Sequence, residues 1–125
     1  MIKGIHHVSM KCGDPEKFNE AKRFYTELLG LKIAREWENG VMIDTGAGMI
    51  EIFSDGEGNG TCGAVRHFAL ASDDVDGAVE TVAKAGYDVF TPPKDAVINS
   101  VPPYPIRIAF CVGPLGEEIE FFCER

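Results

Sequence analysis

The sequence predicts an α+β fold: two βαβββ modules related by internal duplication, their mixed sheets forming a half-barrel cleft with the helices on its outer face. Three observations predict it. Two stretches with helical period carry matching start and stop residues. Each follows a short strand-like run that begins at a histidine, and each precedes three more strand-like runs. A Gly-rich segment, DGEGNGTCG, separates the two sets. The reading gives a first module at 1–54, a linker at 55–63 and a second module at 64–125, together one structural domain.

The elements follow in order. HVSMKC at 7–12 alternates as a strand does. DPEKFNEAKRFYTELLG then reads as a helix: Asp14 is the N-cap candidate, Pro15 suits the first turn, and Gly30 is the stop. Phe18, Ala21, Phe24, Tyr25, Leu28 and Leu29 form its apolar face. Strand-like runs follow at 32–37, 41–44 and 49–53, separated by turn formers. The second module repeats this grammar. HFALAS at 67–72 precedes SDDVDGAVETVAKAG, with Asp73 or Asp74 as cap, Val75, Ala78, Val79 and Val82 as core stripe, and Gly86 as stop. Strands are then expected at 88–91, 107–112 and 118–124. The modules differ in one place: 44 positions separate His7 from Glu51, but 53 separate His67 from Glu120. The excess lies in TPPKDAVINSVPPYPIR. Its prolines predict a stiff loop between the sixth and seventh strands, either plain surface or a lid that brings Tyr104 or Lys94 to a substrate.

Side-chain alternation assigns the cleft lining. His7, Ser9 and Lys11 share one face of the first strand, and Val8, Met10 and Cys12 the other, which belongs under the helix. By the same parity His67 opposes Phe68, Glu51 opposes Ile50 and Ile52, and Glu120 opposes Ile119 and Phe121. A lone strand histidine or glutamate usually faces solvent. Here one of each falls at equivalent places in both repeats, all on the face away from the helix. His7, Glu51, His67 and Glu120 are therefore expected to bind a divalent metal. His6 has the parity of the helix side, which makes His7 the better ligand.

Composition narrows the partners. With 20 acidic against 12 basic residues the formal net charge is −8, which argues against nucleic acid and anionic membranes and in favour of a small-molecule substrate. No apolar run approaches a membrane span, and MIKGIHH lacks the hydrophobic region of a secretory leader; a cytoplasmic location is expected. Cys12, Cys62, Cys111 and Cys123 form no C-x-x-C pair and are expected to be free thiols.

The stretches HVSMKC, FYTELLGLKI, MIEIF, RHFAL and GEEIEFF resemble the vicinal oxygen chelate superfamily, and the ligand order His, Glu, His, Glu resembles glyoxalase I, the lactoylglutathione lyase. The resemblance implies a lyase that isomerises the hemithioacetal of methylglyoxal and a small thiol, using nickel, cobalt or zinc. It makes Glu120 the first choice for the catalytic base, with Glu51 as the alternative. It also implies a homodimer, although a site closed within one chain fits the same ligands. Epimerases, dioxygenases and thiol transferases of the superfamily, and its non-enzymatic binding proteins, are the other readings. Bacterial glyoxalases often place an arginine and an asparagine where this chain has Lys11 and Asp55. Lysine can meet a carboxylate as a point charge, whereas Asp55 would repel one, so the thiol is glutathione or another. Arg107 and Trp37 are further candidates for substrate contact, or a salt-bridge partner and a strand-end anchor.

Overall fold

The structure, a computed structural model, describes residues 1, 3–57 and 65–125. Its contacts group into two compact units, Met1–Gly60 and Thr61–Arg125. Each is a βαβββ module, as expected. Of the expected linker, 58–63 lies outside the described residues, and Cys62 with it.

In the first unit β1 (His7–Lys11) leads into α1 (Pro15–Arg23), followed by β2 (Lys32–Trp37), β3 (Gly40–Asp44) and β4 (Met49–Phe53). The sheet order is β1-β4-β3-β2, with β1 parallel to β4 and the other pairs antiparallel. Asp14 caps α1 by accepting from the Glu16 amide at 2.9 Å, and Pro15 occupies the first turn. The expected helix does not run on as an α-helix. From Phe24 to Leu28 it widens into a π-turn, the Leu29 amide donating to the Phe24 carbonyl at 3.0 Å. Phe24 and Tyr25, edge to face at 4.9 Å, are both buried there. Gly30 ends the turn with φ of 73°, a left-handed conformation that glycine adopts without strain. Val41, Ile43, Ile50, Ile52 and Cys12 make the buried apolar face of the sheet.

The second unit has the same order: β5 (Phe68–Ala71), α2 (Val75–Lys84), β6 (Val89–Ile98), β7 (Tyr104–Val112) and β8 (Glu118–Glu124), arranged β5-β8-β7-β6. Asp74 caps α2 by accepting from the Gly77 amide at 2.9 Å. Val75, Val79 and Val82 are its buried stripe, and α2 packs on β6, β7 and β8. Ala109, Cys111, Ile119 and Phe121 are buried in the same unit.

The Pro-rich stretch corrects one expectation. It is not a loop lid but most of a long hairpin, paired from Val89 with Cys111 to Ile98 with Tyr104. The register shifts between Val89 and Thr91 and again between Thr91 and Lys94, so Pro92 and Pro93 fall where the ladder is already irregular. Only 99–103 remain as the connection between the strands. No described helix is long and apolar enough to cross a membrane.

Candidate metal and substrate site

Three carboxylates are buried: Glu51, Glu117 and Glu120. Glu117 is a turn residue, its carboxylate accepting from the Leu115 amide at 2.7 Å. Glu51 and Glu120 occupy the middle strand positions of their modules, each 8% exposed, and each faces an imidazole. Nε2 of His7 lies 3.6 Å from Oε1 of Glu51. Nε2 of His67 lies 3.0 Å from Oε2 of Glu120.

Register makes the two pairs equivalent. Ser9, two residues after His7, pairs with Glu51 across β1 and β4, and Ala69, two residues after His67, pairs with Glu120 across β5 and β8. The surroundings differ. The Ser9 hydroxyl donates to Oε1 of Glu51 at 2.8 Å, and Ala69 has no hydroxyl to offer Glu120. Nδ1 of His7 lies 2.9 Å from Nδ1 of His6, which fixes the outer nitrogen of that ring, whereas Nδ1 of His67 is buried with no hydrogen-bond partner among the described residues. Phe110 packs against His67 with the rings nearly perpendicular and their centres 5.1 Å apart. Ser9 and His6 are contacts that the sequence did not disclose. Among the described residues no three His, Cys, Asp or Glu side chains form a group that could hold a metal ion, so the four expected ligands stand as two pairs, one in each module.

A family model for the Glyoxalase/Bleomycin resistance protein/Dioxygenase superfamily matches residues 4–104. The chain belongs to this superfamily. Solved structures of similar fold include a glyoxalase/dioxygenase from Nostoc punctiforme, with TM-score 0.72, 16% identity, and coverage of 98% of this chain and 92% of that one. A glyoxalase/bleomycin resistance protein/dioxygenase from Alicyclobacillus acidocaldarius has TM-score 0.70 and 17% identity, covering 98% and 92%. A further one, from Nocardioides, has TM-score 0.70 and 18% identity, covering 99% and 85%. No curated protein matches the chain.

The superfamily typically binds a divalent metal, and the donor sets fit such an ion. Imidazole nitrogen beside carboxylate oxygen suits nickel, cobalt or zinc. Two ligands about 2.1 Å from one cation and at right angles lie roughly 3 Å apart, close to the separation of the His67 and Glu120 atoms. A cation would also compensate two carboxylates held largely away from water.

The other expected contacts fall in different places. Lys11 is exposed on the face that carries His7 and Glu51. Asp55 accepts from the side-chain amide of Asn39. Tyr104 lies in β7, where its hydroxyl donates to Glu124 and its ring lies 5.9 Å from Phe122; the carboxylate beside it raises the phenol's pKa. Of the two roles open to Arg107, the structure shows the salt-bridge partner. Phe110 pairs with Glu120, so Arg107 points to the opposite, helix-bearing face. There it forms a two-pronged ion pair with Asp76 of α2, both distances 2.6 Å, and a third bond to Asp95 at 3.1 Å. These bonds raise the guanidinium's pKa further and lower that of the Asp76 carboxyl.

Proposed function

We propose that the protein is a metal-dependent, glyoxalase I-like lyase that converts the hemithioacetal of a 2-oxoaldehyde such as methylglyoxal and a small thiol into a 2-hydroxyacyl thioester. His7, Glu51, His67 and Glu120 would hold nickel, cobalt or zinc, and the working form would be a homodimer. The observation that carries the reading is the repeated His–Glu pair, at equivalent register positions, with both carboxylates buried.

A divalent cation there would supply a counter-charge for the negative charge that develops on the substrate's two adjacent oxygens. The proton transfers fall to the protein. Glu120 takes the proton from C1 of the hemithioacetal and returns it to C2, while the hydroxyl proton passes from the C1 oxygen to the C2 oxygen, so the reaction is an isomerisation with nothing oxidised overall. Glu120 suits the work of a base because, among the described residues, its side chain meets the His67 imidazole and no hydroxyl. Glu51 suits a fixed position because Ser9 holds the same oxygen that faces His7.

The test is to assay nickel-, cobalt- and zinc-reconstituted protein with methylglyoxal and a panel of thiols, following thioester absorbance. Thioester formation that falls at least a hundredfold in Glu120→Gln supports the reading. Absence of product with every thiol and metal would sink it, and near wild-type activity in Glu120→Gln would move the base elsewhere.

A further inference from the structure

The two His–Glu pairs match in register but not in hydrogen bonding, and the difference lies in His6. Nε2 of His67 stands 3.0 Å from Oε2 of Glu120, a hydrogen-bond distance, so that imidazole carries its proton on Nε2. A proton on its buried Nδ1 would find no acceptor among the described residues. In the first module the engagement is reversed. Nε2 of His7 stands 3.6 Å from Oε1 of Glu51, too far for a hydrogen bond, while Nδ1 meets Nδ1 of His6 at 2.9 Å. A proton on Nε2 would draw the carboxylate in, as it does at Glu120. The longer gap places the proton on Nδ1, donated to the His6 lone pair, and leaves the Nε2 lone pair free beside Glu51.

The position of His6 makes this contact available. His6 precedes β1, so the alternation that sends neighbours on a strand to opposite faces does not govern it. Its ring stands nearly perpendicular to that of His7, with centres 5.2 Å apart. Its carbonyl accepts from the Met49 amide at 3.0 Å, and Met49 opens β4, the strand that carries Glu51. The acceptor for His7 is thereby tied to the same strand as the carboxylate that His7 faces. The second module places Arg66 before His67, and a guanidinium can only donate.

We propose that His6 is a positioning residue: it accepts the Nδ1 proton of His7 and so presents the Nε2 lone pair of His7 to a divalent cation. The part that concerns the cation rests on the reading above; the part that concerns the proton stands without it. A metal binds neutral imidazole through a ring lone pair, and the partner of the other nitrogen decides which lone pair is offered. His7 already holds the form that binding requires. His67 must first give up its bond to Glu120, so His6 makes the first module the readier half of the ligand set.

The chain has three histidines, so nitrogen-15 NMR of the metal-free protein, at a pH where they are neutral, reads the proton position on each ring. Wild type is expected to show His7 protonated on Nδ1 and His67 on Nε2. His6→Phe keeps a ring but offers no acceptor. His7 should then lose its preference for Nδ1, and nickel affinity by isothermal titration should fall about tenfold, with far-UV dichroism unchanged. His6→Arg, which copies the second module, should behave in the same way, and His6→Asn, whose side-chain oxygen can stand where Nδ1 stood, should restore both readouts. A His7 ring protonated on Nε2 in wild type, or nickel binding within twofold of wild type in folded His6→Phe and His6→Arg, would overturn the proposal. An Nδ1 proton on His7 that depends on His6, in protein that takes up no nickel, upholds the positioning and counts against the metal-dependent reaction proposed above.

Discussion

Replacing Ser9 by alanine removes a hydrogen bond that Glu51 has and that Glu120, among the described residues, lacks. The carboxylate side chain is only 11% exposed, so water replaces the hydroxyl poorly. A hydrogen bond to a charged group contributes about 1.5–3 kcal/mol, which is roughly a 10- to 150-fold change in an equilibrium constant. Loss of a partner that orients a ligating side chain typically lowers metal affinity by about 10- to 100-fold, and the two ranges agree. Isothermal titration of nickel into wild type and Ser9→Ala should therefore show affinity reduced by at least tenfold, with one-to-one stoichiometry kept. The complementary change, Ala69→Ser, places a hydroxyl beside Glu120; it should tighten metal and slow the proton transfer, lowering kcat more than it changes KM. Ser9→Ala binding nickel within twofold of wild type would refute the claim that the hydroxyl positions Glu51.

Other outcomes follow from the packing and the charges. Ile43 is fully buried, and Ile43→Ala should cost about 2–5 kcal/mol of unfolding free energy in urea melts. Burial pushes the Cys111 thiol up to about 12, so iodoacetamide at pH 8 should modify the partly exposed Cys123 in the native protein and reach Cys111 only in denaturant. Above pH 9 the unfolded chain loses that thiol proton while the native one keeps it, so stability should fall as pH rises, and less steeply in Cys111→Ala. The Asp76 carboxyl, held low chiefly by its bonds to Arg107, adds stability above the ordinary carboxylate pKa that is lost as pH falls through its native value. Acid-side melts of Arg107→Gln should show a shallower pH dependence.

Much of the fold and of the His–Glu pairs was legible because it depends on local periodicity. Period-two alternation around Glu51 and Glu120, and the repeat of Asp14, Gly30 by Asp74, Gly86, need only neighbouring residues to be read. What depends on register was not legible. That Ser9 meets Glu51 and Trp37 lies on Gly40 follows from pairings between distant segments, β1 with β4 and β2 with β3. Arg107 was left between two roles for the same reason, since only the pairing of Phe110 with Glu120 reveals which face it takes. The hairpin of β6 and β7 was hidden by its prolines, which read as breakers unless the strand tolerates them at bulges. The π-turn at Phe24 and Tyr25 was hidden because it satisfies tertiary burial of two adjacent aromatics, which a helical period does not encode.

The proposal on which the account turns is that His7, Glu51, His67 and Glu120 bind a divalent cation. Elemental mass spectrometry of the purified protein tests it most directly, with wild type beside His67→Ala and Glu51→Gln. The account predicts about one nickel, cobalt or zinc per site in wild type, and loss of most of it in both variants. No bound metal in wild type and none taken up on titration, or full occupancy retained in both variants, would contradict it.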